Sequence, residues 1–214
     1  MPRHRKASDW ALDHIRDSIL SGRLTPGEPL LLIPLSTQMG LSTTPVREAL
    51  VRLKSEGLVE GDARRTFRVA ELSLRDVFDH YRLHATFSGM IAERATETLT
   101  GEDIAYLRKL DSEMLAKVES GDYEDMYDLN RLFHQRINSV ATGVLRRFTA
   151  ITARLVARRT YPDVIGYKST IHDHAAIIDA MESRDGTRAR ELTEAHVLQV
   201  GEALIAELRD RGWS

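Results

Sequence analysis

No cysteine occurs in the chain, which removes disulfides, thiolate metal sites and cysteine nucleophiles from the functions open to it. Long apolar runs are missing too. The longest, around Leu30 to Leu35, is far short of the roughly 20 residues that span a bilayer. The basic start Met1-Pro2-Arg3-His4-Arg5-Lys6 runs into Ser8-Asp9-Trp10 without the apolar core of a signal peptide. Together these absences predict a cytoplasmic protein with no membrane partner. A strong charge of one sign is also lacking, since the net value is −2; nucleic-acid binding would need a local basic surface. Proline and glycine become scarce after residue 73, which favours long helices there. What is present is an ordinary globular composition, 42% hydrophobic and 29% charged over 214 residues, sufficient for one large domain or two small ones.

The most structured signal lies in residues 34–59, which read as two short helices around a tight turn. Gly40 supplies the turn, Ser42 or Thr43 caps the next helix, Pro45 sits in its first turn and Gly57 ends it. Val46, Ala49, Leu50 and Leu53 share one helical stripe, while Arg47, Val51 and Lys54 form another. This division suits a helix-turn-helix, whose second helix packs on one side and enters the major groove with the other. It suits an ordinary helical hairpin equally well.

Around it, Ser8 or Asp9 can cap a helix with Trp10, Ala11, Ile15, Ile19 and Leu20 on one face, closed by Gly22. Leu30–Ile33 reads as a short strand, and Leu58–Glu60 with Phe67–Ala70 as a hairpin whose loop carries Arg64 and Arg65. Helix, strand, helix pair and hairpin compose a winged helix-turn-helix. A basic wing grips phosphate or the minor groove, although a solvated loop could carry the same charges.

Residues 8–70 resemble the DNA-binding domain of the GntR family of bacterial transcription regulators. The resemblance is carried by Ile19-Leu20-Ser21-Gly22-Arg23-Leu24-Thr25-Pro26-Gly27, Gly40-Leu41-Ser42, Thr44-Pro45-Val46-Arg47-Glu48-Ala49-Leu50, Arg52-Leu53 and Glu56-Gly57-Leu58-Val59. It implies that Ser42, Thr43, Thr44 and Arg47 meet phosphates and base edges, with Arg47 able to bond guanine through both nitrogens. Arg64 and Arg65 of the wing complete the DNA-binding set. Thr43 and Ile33 stand where many members have arginine, and Thr66 where the wing tip is usually glycine.

From residue 73 the pattern predicts six helices: one from Ser73 to about Thr98, one from Thr100 or Gly101, and others near 122–142, 144–160, 168–184 and 186–211. Short connections suggest an all-α antiparallel bundle. The expected fold is therefore mainly α, with a winged helix-turn-helix domain over 1–72 and a helical effector, metal and dimerisation domain over 73–214. His134, His174 and His196 fall on three different helices, each with apolar neighbours at helical spacing: Phe133 and Ile137, Ile177 and Ile178, Leu192 and Ala195. Asn130 shares a face with His134. Three converging imidazoles would suit a divalent transition metal, zinc or nickel; three unrelated half-buried histidines would give the same pattern.

Residues 74–207 resemble the FCD effector-binding domain of the FadR subgroup, through Asn130-Arg131-Leu132-Phe133-His134, Asp173-His174-Ala175-Ala176-Ile177-Ile178-Asp179-Ala180-Met181, Ala189-Arg190 and Ala195-His196. The resemblance implies a metal at Asn130, His134, His174 and His196 that helps hold a small carboxylate. His84 and Ser88 occupy the places where the first helix commonly offers arginine and glutamate. They are candidate effector contacts, with Arg82 and Arg154 as nearby polar groups, and His172 points to another face. The expected function is a ligand-responsive regulator binding a palindromic double-stranded operator as a homodimer, not an enzyme. The competing readings are a metal-dependent hydrolase, for which no general base is identifiable, and a sensor that has lost DNA binding.

Overall fold

The computed structural model describes residues 6–61, 66–71, 73–153, 171 and 173–213. They form two compact units, one of residues up to Asp76 together with those from Leu208 onward, the other Val77–Glu207. The last residues thus pack with the first unit, where the sequence reading kept them with the second.

The first unit opens with α1 (Ala7–Leu20), which begins ahead of the expected Ser8 or Asp9 cap, with Lys6 at the N-cap. It is followed by β1 (Pro29–Leu30), α2 (Leu32–Met39), α3 (Thr43–Ser55), β2 (Val59–Glu60) and β3 (Phe67–Val69). The strand expected over Leu30–Ile33 stops at Leu30, and Ile33 lies in the first turn of α2 rather than ahead of it. Pro34 explains the difference: in a helix's first turn its missing N–H forfeits nothing. Gly40 ends α2 at φ 64°, the left-handed conformation that glycine adopts without strain, and so turns the chain into α3.

Val46, Ala49, Leu50 and Leu53 of α3 are fully buried beside Ala11, Ile15 and Ile19 of α1. The sheet runs β1-β3-β2, all antiparallel, pairing Leu30 with Phe67 and Val59 with Val69, and these four side chains face inward. The result is a winged helix-turn-helix. Arg16, only 4% exposed, donates to both oxygens of Glu56 at 2.8–3.1 Å and to Asp13, tying α1 to the end of α3. At Gly22 φ is 71°, and a β-carbon there would come within 3.2–3.3 Å of Arg211, Leu208 and Trp213, so any other residue at this turn is strained; Arg211 also donates to the Ser21 carbonyl at 2.7 Å.

The second unit takes in most of α4 (Leu74–Thr98), then α5 (Gly101–Ser120), α6 (Tyr123–Asn138), α7 (Gly143–Thr152), α8 (Asp173–Glu182) and most of α9 (Gly186–Asp210). Its caps follow the sequence closely. Ser73 and Asp76 bond reciprocally at the start of α4, and Thr100 with Asp103 forms a capping box at α5. Ile91, Leu107, Met114, Phe133, Ile177, Ile178 and Met181 are among the buried side chains of one continuous core. Among the described residues no helix is long and apolar enough to cross a membrane.

Candidate functional site

On α3 the unburied stripe is what a partner would meet. Ser42 is the N-cap and makes no capping bond through its side chain, and Ser42, Thr43, Thr44 and Arg47 lie at the exposed N-terminal end of the helix. Three basic side chains project from α3, and their fates differ. Arg52 pairs with Asp9 of α1, and Lys54 donates to the Gly61 carbonyl. Arg47 makes neither hydrogen bond nor ion pair among the described residues, so its fork stays available for a guanine edge or a phosphate. Arg68, on β3, donates to the Gly27 carbonyl. Arg64 and Arg65 lie outside the described residues.

In the second unit, α6, α8 and α9 bring three histidines together. Candidate ligand atoms of His134, His174 and His196 all lie within 4.8 Å of one another, and the rings sit 4.9–5.7 Å apart. His174 and His196 are buried; His134 is partly accessible because it faces a cavity. Burial, reinforced by the neighbouring imidazoles, holds His134 and His174 well below the ordinary histidine value. Both are therefore neutral at pH 7, with lone pairs to give. Phe133 stacks on His174 at 4.3 Å and fixes its plane.

Neither ring nitrogen of His174 has a hydrogen-bond partner among the described residues, and Asp111, 3.7 Å from Nδ1, is beyond bonding range. An orphaned pair of this kind, deep in a core, calls for an occupant. Asp173 lies 3.3 Å from His196 Nδ1, so an Nδ1–H donated there leaves Nε2 with the lone pair. Clustered and partly unsatisfied imidazoles, with His134 and His174 held neutral by burial, are a donor set that fits zinc or nickel.

The cavity holds about 180 Å³, small beside the ~300–1,000 Å³ of drug-sized sites. Tyr81, His84 and Ser88 of α4 line it, as do Asn130, Phe133 and His134 of α6, His174 and Ile177 of α8, and Thr193, His196 and Val197 of α9. His84 Nδ1 meets Thr152 Oγ1 at 2.9 Å, and burial lowers its pKa to about 4, with His80 adding to the effect.

Three comparisons bear on this geometry. Residues 79–199 match the model of the FCD domain and residues 8–69 that of the bacterial regulatory proteins of the gntR family. The chain belongs to the GntR family. It is a transcriptional regulator carrying an FCD domain. The HTH-type transcriptional regulator McbR of Escherichia coli K12 is 34% identical over 123 residues, 58% of this chain and 56% of McbR. The Nta operon transcriptional regulator of Aminobacter aminovorans is 26% identical over 194 residues, covering 89% of this chain and 90% of its own. The solved structure of E. coli McbR/YncC superposes with a TM-score of 0.70 at 25% identity, covering 96% of this chain and all of that one. With relatives that are transcriptional regulators, the hydrolase reading falls away.

Against this family background the site residues read from sequence separate into groups. Asn130, His134, His174, His196, His84 and Ser88 of the regulator share the cavity. Arg82 does not. It is 64% exposed, sits 4.0 Å from Asp79 and lies over the Phe78 ring, because one residue beyond Tyr81 a helix has already turned about 100° away. Arg154 and His172 lie outside the described residues. Ala195 is exposed, and the buried neighbours of His196 are Thr193 and Val197. Sequence reasoning passed over Thr193, three residues before His196 and so on its face, and Asp173, adjacent to His174. Both signals were local. Asp111 comes from α5, and no spacing in the sequence announces it.

Proposed function

We propose that this GntR-family regulator binds a palindromic double-stranded operator as a homodimer and answers to a small carboxylate effector held, with a divalent metal, in the histidine cavity. The observation that carries the effector half is the buried cluster of His134, His174 and His196, with both nitrogens of His174 unsatisfied among the described residues. These histidines would hold zinc or nickel, with Asn130 as a neutral oxygen donor from the same wall. A metal held by neutral ligands keeps its full charge and so supplies electrostatic attraction for a carboxylate. His84 and Ser88 on the opposing helix would touch the rest of the effector.

The DNA half is supported by Ser42, Thr43, Thr44 and Arg47, which has no partner among the described residues; Arg64 and Arg65 of the wing are proposed backbone contacts from sequence alone. One winged head reads one half-site, so a palindrome calls for two copies. Exposed apolar side chains on the second unit, Val144, Phe148 and Ile151 of α7 with Leu83 of α4, support such self-association. Effector binding would act by favouring one of the dimer's populated arrangements over another.

The test is elemental analysis of the protein purified without chelator, paired with operator titration in the presence of candidate carboxylates. About one zinc or nickel per chain, lost in His174→Ala, together with effector-dependent operator binding, is expected. Metal-free protein that neither takes up zinc or nickel nor responds to any carboxylate would overturn the effector half, leaving DNA binding to be judged separately.

A further inference from the structure

A second opening, of about 280 Å³, lies between α6 and α7 beside the histidine cavity. Arg131, His134, Gln135 and Asn138 line it from α6, and Arg146 and Thr149 from α7. Arg131, His134, Asn138 and Ala153 line the histidine cavity as well, so the two openings share a wall; the function proposed above makes no use of the side toward α7. Its polar lining is dominated by hydrogen-bond donors, and no carboxylate lies among its described lining residues.

Thr149 gives the sharpest indication. The hydroxyls of Thr37, Thr86, Thr98 and Thr152 each donate to the carbonyl one turn back, the default for a threonine inside a helix. Thr149, only 5% exposed, does not; its Oγ1 is buried without any partner among the described residues. A hydroxyl that forgoes its helical acceptor and remains buried carries a standing cost unless something fills the opening. Beside it Arg146, three residues earlier on α7, makes no ion pair or hydrogen bond among the described residues, and Arg131 has Asp128 at 3.5 Å on its exposed side.

We propose that this opening is an anion-binding subsite, taking the carboxylate or phosphate group of a small ligand. Arg146 and Arg131 supply the charge, and guanidinium forks match either oxyanion. Thr149 supplies a directional O–H donor, and the amides of Gln135 and Asn138 satisfy the remaining oxygens. The subsite does not depend on the metal reading, since its donors need no metal.

The experiment uses the full chain, stripped of metal and dialysed free of chelator, titrated at constant ionic strength with inorganic phosphate and separately with acetate, by calorimetry. Saturable binding of at least one probe is expected, and the probe that binds identifies the source of the oxyanion. Arg146→Gln, at an exposed position, should weaken it at least tenfold. Thr149→Val, nearly the same shape, should weaken it several-fold. His174→Ala should leave it unchanged, as should Arg108→Gln, whose guanidinium pairs with Asp179 and Glu182 elsewhere on the unit. The proposal is overturned if neither probe saturates, or if neither Arg146→Gln nor Thr149→Val weakens binding. Loss in His174→Ala would assign the anion to the histidine cavity instead, and equal weakening in Arg108→Gln would mark nonspecific attraction.

Discussion

Acid should loosen the second unit through His84. In the unfolded chain this imidazole takes its proton near 6.5, but burial, helped by His80, lowers the folded value to about 4. Between those values the unfolded state binds the proton and the folded state does not. The stability tied to His84 is thus complete above about 6.5 and lost progressively as pH falls toward about 4. At pH 5, roughly 1.5 units below the unfolded value, the loss is about 2 kcal/mol. His80, likewise lowered to about 4 by burial, adds a similar loss.

The assay is urea denaturation of metal-free protein at pH 7 and pH 5, comparing wild type with His84→Gln. The variant forfeits the bond to Thr152 at both pH values, but it has no proton to take up. The gap between wild type and variant should therefore shrink by about 2 kcal/mol at pH 5. Contributions from the other histidines cancel to first order in this comparison. A gap that stays constant would show that His84 does not reside in the fold as a buried neutral base, and the reasoning would fail.

Arg47→Ala should leave the melting temperature unchanged while reducing discrimination between operator and mismatched DNA by about 1–3 kcal/mol, read from competition binding. Glu56→Ala strands Arg16 at 4% exposure with Asp13 as its one remaining partner among the described residues, and should cost about 3 kcal/mol in chemical denaturation; a cost under ~1 kcal/mol would mean that Arg16 escapes to water. Gly201→Ala would bring a β-carbon to 2.5 Å from Cγ of the buried Tyr81. Overpacking of this kind should destabilise by about 1–3 kcal/mol, measured by thermal unfolding, and an unchanged protein would show that the ring has room to yield.

Where a structural feature was written locally, the sequence could be read nearly to the residue. Ser73 and Thr100 cap helices because a short polar side chain followed three residues later by Asp satisfies orphan N–H groups, whatever the tertiary context. Leu30–Ile33 misled because a short apolar run fits strand and helix alike, and the decisive residue was Pro34 just beyond it. Arg82 was grouped with the cavity by proximity in sequence, whereas helical phase separates it from Tyr81, His84 and Ser88. The meeting of three helices at His134, His174 and His196 depends on packing across long separations, which no single-chain spacing encodes. Nor could the pattern announce that Arg52 and Lys54 are held by intramolecular partners while Arg47 has none among the described residues.

The packing of Leu208, Arg211 and Trp213 around Gly22 sets an order of assembly. A ribosome makes the helix-turn-helix first, yet the side chains that cover its Gly22 turn are made only after all of Val77–Glu207. The DNA-reading unit is thus completed last in time although it stands first in sequence. A chain interrupted anywhere between Val77 and Glu207 leaves the first unit without the side chains that cover its Gly22 turn, so the stability of that unit is tied to completion of the whole chain.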